Sequence, residues 1–161
     1  MDQLEKLETS IPISSSADKF FNFFRNDMNL LVNVVPANFQ SVELISGEDG
    51  SVGAVKRWKY VLGEISLSVD LETVAIDEGA RSITFKAVDG DVLVLYKTYG
   101  FTIAVSDGLV VWTIFYEKAF ITALLQMLML PLRPWLLSWW IFTFSPINNT
   151  RRTNRGRWET I

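Results

Sequence analysis

Between Gly63 and Lys118 the chain reads as consecutive antiparallel strands joined by tight turns. In Ile65-Ser66-Leu67-Ser68-Val69-Asp70-Leu71-Glu72 every odd position is apolar and every even one polar. That is the pattern of a strand with one dry and one wet face. Asp77-Glu78-Gly79-Ala80 interrupts the run, Ser82 to Val88 resumes it, and Asp89-Gly90-Asp91 turns it again. Val92 to Val105 reads as one long apolar and aromatic strand, which Ser106-Asp107-Gly108 turns into a last strand from Leu109 to Lys118. Asp-Gly between alternating runs is a strong short-range hairpin signal. A curved meander of this length has one concave apolar face, which a helix, a ligand or both must fill.

The remaining composition narrows the chemistry. A chain of 161 residues is one domain by length and can bury a sizeable core. It has no cysteine and no histidine, which excludes disulfides, thiolate nucleophiles and most zinc or imidazole chemistry. No metal site and no cofactor are expected. The absence of cysteine fits a cytoplasmic protein, and Met1-Asp2-Gln3-Leu4-Glu5-Lys6 lacks the basic start and apolar core of a signal peptide. With a net charge of −3 and no basic stripe, nucleic acid is not an expected partner. Oligomeric state is not legible. The charge is uneven: residues 1–118 carry ten Lys/Arg against seventeen Asp/Glu, whereas 119–161 carry five Arg, one Glu and four of the six Trp.

Upstream of the meander, Leu4 to Ile13 passes as a first strand with Pro12 near its end. Ser14-Ser15-Ser16-Ala17-Asp18 is a helix start, with Ser15 expected as N-cap. Ala17, Phe20, Phe21 and Phe24 follow at helical spacing, and core is the first reading of these aromatics, ligand lining the second. A second short helix from about Asp27 turns Met28, Leu31, Val32 and Val35 inward and ends at Pro36. Phe39 to Ser46 is a strand, followed by a loop with glycines at positions 47, 50 and 53. Gly47, Gly50 and Gly53 could cradle an anion on backbone N–H groups, but Glu48 and Asp49 oppose phosphate and no Walker pattern is present. A flexible loop at a pocket mouth fits better. Ala54 to Tyr60 then forms a strand with Lys56, Trp58 and Tyr60 on one face, directed into the concavity. Lys56 there is either a snorkelling rim residue or a polar handle for a ligand.

Lys6-Leu7-Glu8-Thr9, Ser16-Ala17-Asp18-Lys19-Phe20, the Gly47–Gly53 loop with Lys56 and Trp58, and Trp112-Thr113-Ile114-Phe115-Tyr116-Glu117-Lys118 occur in this order. Together they resemble the plant major latex proteins, part of the birch-pollen-allergen superfamily, through residues 3–118. The resemblance implies an α+β helix-grip (START-like) fold. Its parts are a seven-stranded curved antiparallel sheet, two short helices after the first strand, and a long C-terminal helix gripped by the sheet. It also implies a cavity for small hydrophobic ligands (sterols, fatty acids, hormones or other plant metabolites) and a link to defence and stress responses. On that footing the candidate ligand-binding residues are Phe21 and Phe24 from the helix and Lys56, Trp58 and Tyr60 from the strand after the loop. Val69, Leu71, Phe85, Leu95, Tyr99, Phe101 and Trp112 follow from the meander.

Catalysis is the weaker expectation. Asp70 and Glu72 share a strand face, but it is the wet one, so a solvated surface is expected rather than an acid–base pair. Lys97 and Tyr99 fall with Leu95 and Phe101 on the long strand, where a cavity lysine would suit imine chemistry, and a few relatives in the superfamily are condensing enzymes. Three functions therefore stand side by side: a non-enzymatic carrier or sensor, a condensing enzyme of the same fold, and an unstable product lacking the gripped helix.

After Lys118 the resemblance stops, so 1–118 reads as an incomplete family domain and 119–161 as an atypical apolar, then Arg-rich tail. A shifted reading frame is one account of it. Reading one nucleotide earlier can supply Asn-Ala-Pro-Ala-Pro-Thr and then Leu-Val-Val-Asp-Ile, which resemble the family's loop and helix start. A membrane anchor is another: residues 119–144 hold a single charge, but Pro131, Arg133 and Pro134 sit mid-span. In a third, Ala119 to Leu130 lies across the open sheet in place of the missing helix.

Overall fold

The computed structural model describes residues 3–119 and, as backbone alone, 150–152 and 158–160. Its elements in chain order are β1 (Glu5–Pro12), α1 (Ala17–Asn26), a 3-10 turn (Met28–Leu30), α2 (Leu31–Val34), β2 (Phe39–Ser46) and β3 (Val55–Leu62). β4 (Ile65–Asp77), β5 (Ser82–Gly90), α3 (Val92–Leu95), β6 (Tyr96–Ser106) and β7 (Leu109–Lys118) follow. The seven strands form one antiparallel sheet in the order β1-β7-β6-β5-β4-β3-β2, so β1 and β2 are its edges. The expected helix-grip sheet, with its short helices after the first strand, is present. Thr150–Arg152 and Trp158–Thr160 make a separate two-stranded antiparallel pair, β8 and β9. The three accounts of the tail turn on residues 120–149, which lie outside the described residues.

Hairpin chemistry fixes the register where the turn was legible. Asp107-Gly108 joins β6 to β7 with Ser106 opposite Leu109, and Gly108 takes a positive φ of 76°. Odd residues of β6 and even residues of β7 then face inward, and Phe101, Ile103, Val105, Val110, Trp112 and Ile114 are all buried. Against them lies α1, whose Ala17, Phe20, Phe21, Phe23 and Phe24 are buried. The Phe24 ring meets Trp112 edge-on at 5.5 Å, Trp112 lies 5.8 Å from Phe101, and Phe101 lies 5.1 Å from Phe85. Aromatic pairs at such distances add about 0.5–1.5 kcal/mol each beyond area burial.

Three expectations are corrected, and one irregularity, in β4, was not anticipated. Ser16, in extended conformation, caps α1 by accepting from Lys19 N–H, while the Ser15 hydroxyl is buried with no hydrogen-bond partner among the described residues. Val92 to Leu95 is a helical turn rather than the start of a strand. Asp91 accounts for this: its carboxylate accepts from the Ser68 backbone N–H at 2.6 Å and its own N–H donates to Ser68 C=O, drawing the chain off the ladder. β4 runs on to Asp77 through an extra residue. Thr73 faces Phe85 but Ala75 faces Thr84, so Ile76 rather than Ala75 turns inward opposite Ile83. Finally, the outer face of β4 is not simply wet. Asp70 is 6% exposed because Arg57, its cross-strand partner, donates Nε and Nη2 to the two carboxylate oxygens at 2.8 and 2.7 Å.

Candidate functional site

The C-terminal end of α1, the 3-10 turn and the Gly47–Gly53 loop meet the inner faces of β3, β4 and β5 around one pocket. Its walls are apolar: Phe24 and Met28 from the helical layer, Trp58 from β3, Leu71 and Ile76 from β4, and Ile83 and Phe85 from β5, with Thr73 among them. Arg25, Gly50 and Lys56 contribute the polar side. The enclosed volume is about 20 Å³, room for about one water.

The mouth is built around a cation. Alternation places Lys56 on the Trp58 face of β3, where its side chain is only 12% exposed. A cation so placed needs an anion. Asp49 supplies it, its Oδ1 pairing with Lys56 Nζ. Asn29 closes the ring: its Oδ1 accepts from Lys56 Nζ at 2.8 Å and its Nδ2 donates to Asp49 Oδ2 at 2.7 Å. Burial alone would raise the Asp49 pKa, but hydrogen bonds from Lys56 and Asn29, the Lys56 charge and the Gly50 N–H together hold it below the ordinary carboxylate value. Beside this ring Arg25 pairs with Glu78 at 2.6 Å.

Asp49 reaches Lys56 because the loop is jointed. Gly47, Gly50 and Gly53 have φ of 80°, 79° and 88°, a region costly to side chains. At Gly47 a Cβ would also stand 2.8 Å from the Ala54 Cα. The loop is not an anion cradle: Ser51 N–H bonds Glu48 C=O, Gly53 N–H bonds Thr73 C=O, and the Gly50 N–H serves Asp49.

Of the residues singled out in the sequence, Phe24, Lys56, Trp58, Leu71, Phe85 and Gly50 come together at this pocket. Phe21, Val69, Phe101 and Trp112 are buried in the surrounding core, and Tyr60 packs against it. Burial, with the Asp91 charge second, pushes the Tyr60 hydroxyl up to about 12. Leu95 stands apart, on α3 and 41% exposed, a correction that follows from the helical turn. Arg25, Thr73, Ile76 and Ile83 were not anticipated; only the irregularity in β4 could have revealed Ile76.

Tyr99 belongs to a second cluster, on the inner face near β1. Tyr96 lies 5.6 Å from Tyr99 and 5.4 Å from Tyr116. Tyr116 Oη donates to Glu5 Oε2 at 2.8 Å and Lys118 Nζ donates to Glu5 Oε1 at 2.6 Å. The ladder slips between Tyr96 and Thr98, which sends the intervening Lys97 to the opposite side, 46% exposed and 3.5 Å from Glu117. The lysine considered for imine chemistry therefore does not accompany Tyr99 inward. Among the described residues no group of three or more potential metal ligands occurs, and no helix is long and apolar enough to cross a membrane.

Comparison with known proteins identifies the family and the fold. The pathogenesis-related protein Bet v 1 family matches residues 3–122. MLP-like protein 34 of Arabidopsis thaliana is 35% identical over 121 residues, 71% of this chain and 38% of that protein. MLP-like protein 28 is 33% identical over 119 residues, so the chain spans little more than a third of these two relatives: 36% in the second case. MLP-like protein 43 is 33% identical over 120 residues and is covered to 75%. Among solved structures, ginseng major latex-like protein 151 from Panax ginseng superposes with a TM-score of 0.80 at 31% identity, covering 90% of this chain and 95% of that one. Norcoclaurine synthase from Thalictrum flavum superposes with a TM-score of 0.70 at 18% identity, a likeness of fold alone.

Proposed function

The chain belongs to the pathogenesis-related protein Bet v 1 family, and from that premise we propose that it carries small hydrophobic ligands on its concave face without transforming them. The observation that carries this reading is the apolar pocket beneath the glycine-jointed loop, walled by Phe24, Trp58, Leu71 and Phe85 with a single lysine at its mouth. Apolar walls with few placed polar groups are the usual design of a small-molecule site. A pocket of about 20 Å³ admits no sterol or acyl chain as it stands, so binding requires the loop to lift and the aromatic walls to part. Phe21, Tyr60, Val69, Phe101 and Trp112 form the second layer that would yield.

The finer parts of the proposal are a plant metabolite as ligand, a role in defence or stress, and a cytoplasmic location. The enzymatic alternative is disfavoured by the outward Lys97. Displacement of Nile red by dodecanol, followed on the full chain, tests the carrier reading. Saturable displacement supports it, and the absence of any saturable binding overturns it.

A further inference from the structure

We infer that Lys56 and Asn29 form a seat for the carboxylate of an acidic apolar ligand, and that Asp49 is its built-in occupant, displaced when such a ligand binds. This rests on the carrier reading and adds the ligand's head group to it.

Three observations lead there. First, the Asp49 carboxylate is held oxygen by oxygen: Lys56 Nζ takes Oδ1, and Asn29 Nδ2 donates to Oδ2 at 2.7 Å. Two donors spaced for the two oxygens of one carboxylate are a recognition geometry, whichever molecule brings the carboxylate. The Asn29–Lys56 bond at 2.8 Å keeps the two donors in register when the anion changes. Second, the resident carboxylate is not part of the sheet. It hangs from a loop whose three glycines all have positive φ, and its side chain is 38% exposed while that of Lys56 is 12% exposed. Asp49 can therefore return to water, whereas Lys56 cannot follow it. Third, the seat opens onto the Trp58, Leu71 and Phe85 walls. A carboxylate seated on Lys56 would carry its apolar body onto them.

The exchange conserves charge. One carboxylate leaves Lys56 as another arrives, so the buried ammonium keeps its partner throughout. A neutral ligand offers no such replacement: by lifting Asp49 it would leave the largely buried Lys56 uncompensated, a costly state. The site is thus selective for aliphatic or aromatic carboxylic acids over neutral molecules of the same shape.

Calorimetric titration of the full chain with dodecanoate and with dodecanol tests this, because the two probes share an apolar body and differ at the head. Wild type is expected to bind dodecanoate the more tightly. Asp49→Asn leaves no anion to displace and should tighten dodecanoate by about ten-fold; dodecanol, which no longer has to break the Lys56–Asp49 pair, should tighten as well, so that the preference for dodecanoate persists. Lys56→Met should weaken dodecanoate by at least about ten-fold, and Lys56→Arg should restore the preference; circular dichroism verifies that each variant is folded. Equal affinity of wild type for the two probes, a preference for dodecanoate that survives Lys56→Met, or dodecanoate binding unchanged or weakened by Asp49→Asn, would overturn the inference and leave the carrier reading intact if dodecanol still binds. Failure of both probes to bind wild type overturns both.

Discussion

Two lysine–carboxylate pairs sit on the inner side of the sheet, at opposite ends. Lys56–Asp49 and Lys118–Glu5 are almost equally exposed, at 12% and 38% against 18% and 38%. Their anchoring is opposite. Glu5 is part of β1, laddered to Tyr116, and its carboxylate is gripped by both the Tyr116 hydroxyl and Lys118. Asp49 is on the loop between β2 and β3, outside the ladder, and a side-chain amide from the 3-10 turn completes its ring. The comparison teaches that burial does not distinguish a structural ion pair from an exchangeable one. The backbone that carries the anion does.

The largest expected effect removes the wall beneath the first pair. Trp58 is buried and packs edge-on against Phe39 at 5.7 Å, so Trp58→Ala should lower stability by about 3–5 kcal/mol in urea unfolding. Next comes a pH effect at that same end. In the unfolded chain Tyr60 ionises near 10.0, while in the fold its proton is held to about 12. Stability is therefore complete below pH 10 and drains as pH climbs toward 12, by roughly 2–3 kcal/mol. Tyr60→Phe should flatten that decline in denaturation curves recorded between those two pH values.

Smaller effects sharpen the contrast. Gly47→Ala meets both a left-handed φ and the Ala54 Cα, and should cost about 1–2 kcal/mol by thermal unfolding. Tyr116→Phe removes one hydrogen bond to Glu5 and should cost about 1 kcal/mol, leaving dodecanoate affinity unchanged. Asp49→Asn at pH 7 should cost about 1 kcal/mol, because it leaves the Lys56 ammonium without its anion while Asn29 Oδ1 still accepts from it. A large loss from Asp49→Asn, or none from Tyr116→Phe, would reverse the assignment of exchangeable and structural pairs.

Much of this was legible in the sequence because the dry face was written in alternation. Leu109–Lys118 and Phe39–Ser46 match their strands residue for residue, and the Asp107-Gly108 turn sets the register that buries Phe101 and Trp112. What stayed hidden was wherever alternation breaks. The extra residue after Thr73 and the slip beside Lys97 each reverse the side a residue faces, and neither carries a glycine or proline to mark it; at Asp91 the glycine before it marks a turn but not the helical turn that follows. The Asp49–Asn29–Lys56 ring was invisible for a different reason: its members are 20 and 27 residues apart from Asn29, and only the fold brings them together. Arg81, at φ 47°, is likewise held by distant contacts, its Nε donating to Asp18 at 2.5 Å.

The most direct trial of the account is to locate a bound apolar molecule. Backbone amide and indole NMR resonances of the full chain would be followed during titration with dodecanoate. The account predicts saturable shifts at Asn29, Gly50, Lys56, Trp58 and Phe85, with Tyr96 and Tyr116 little moved. Shifts centred on Tyr96, Tyr99 and Tyr116, with the loop and Trp58 unmoved, would contradict it.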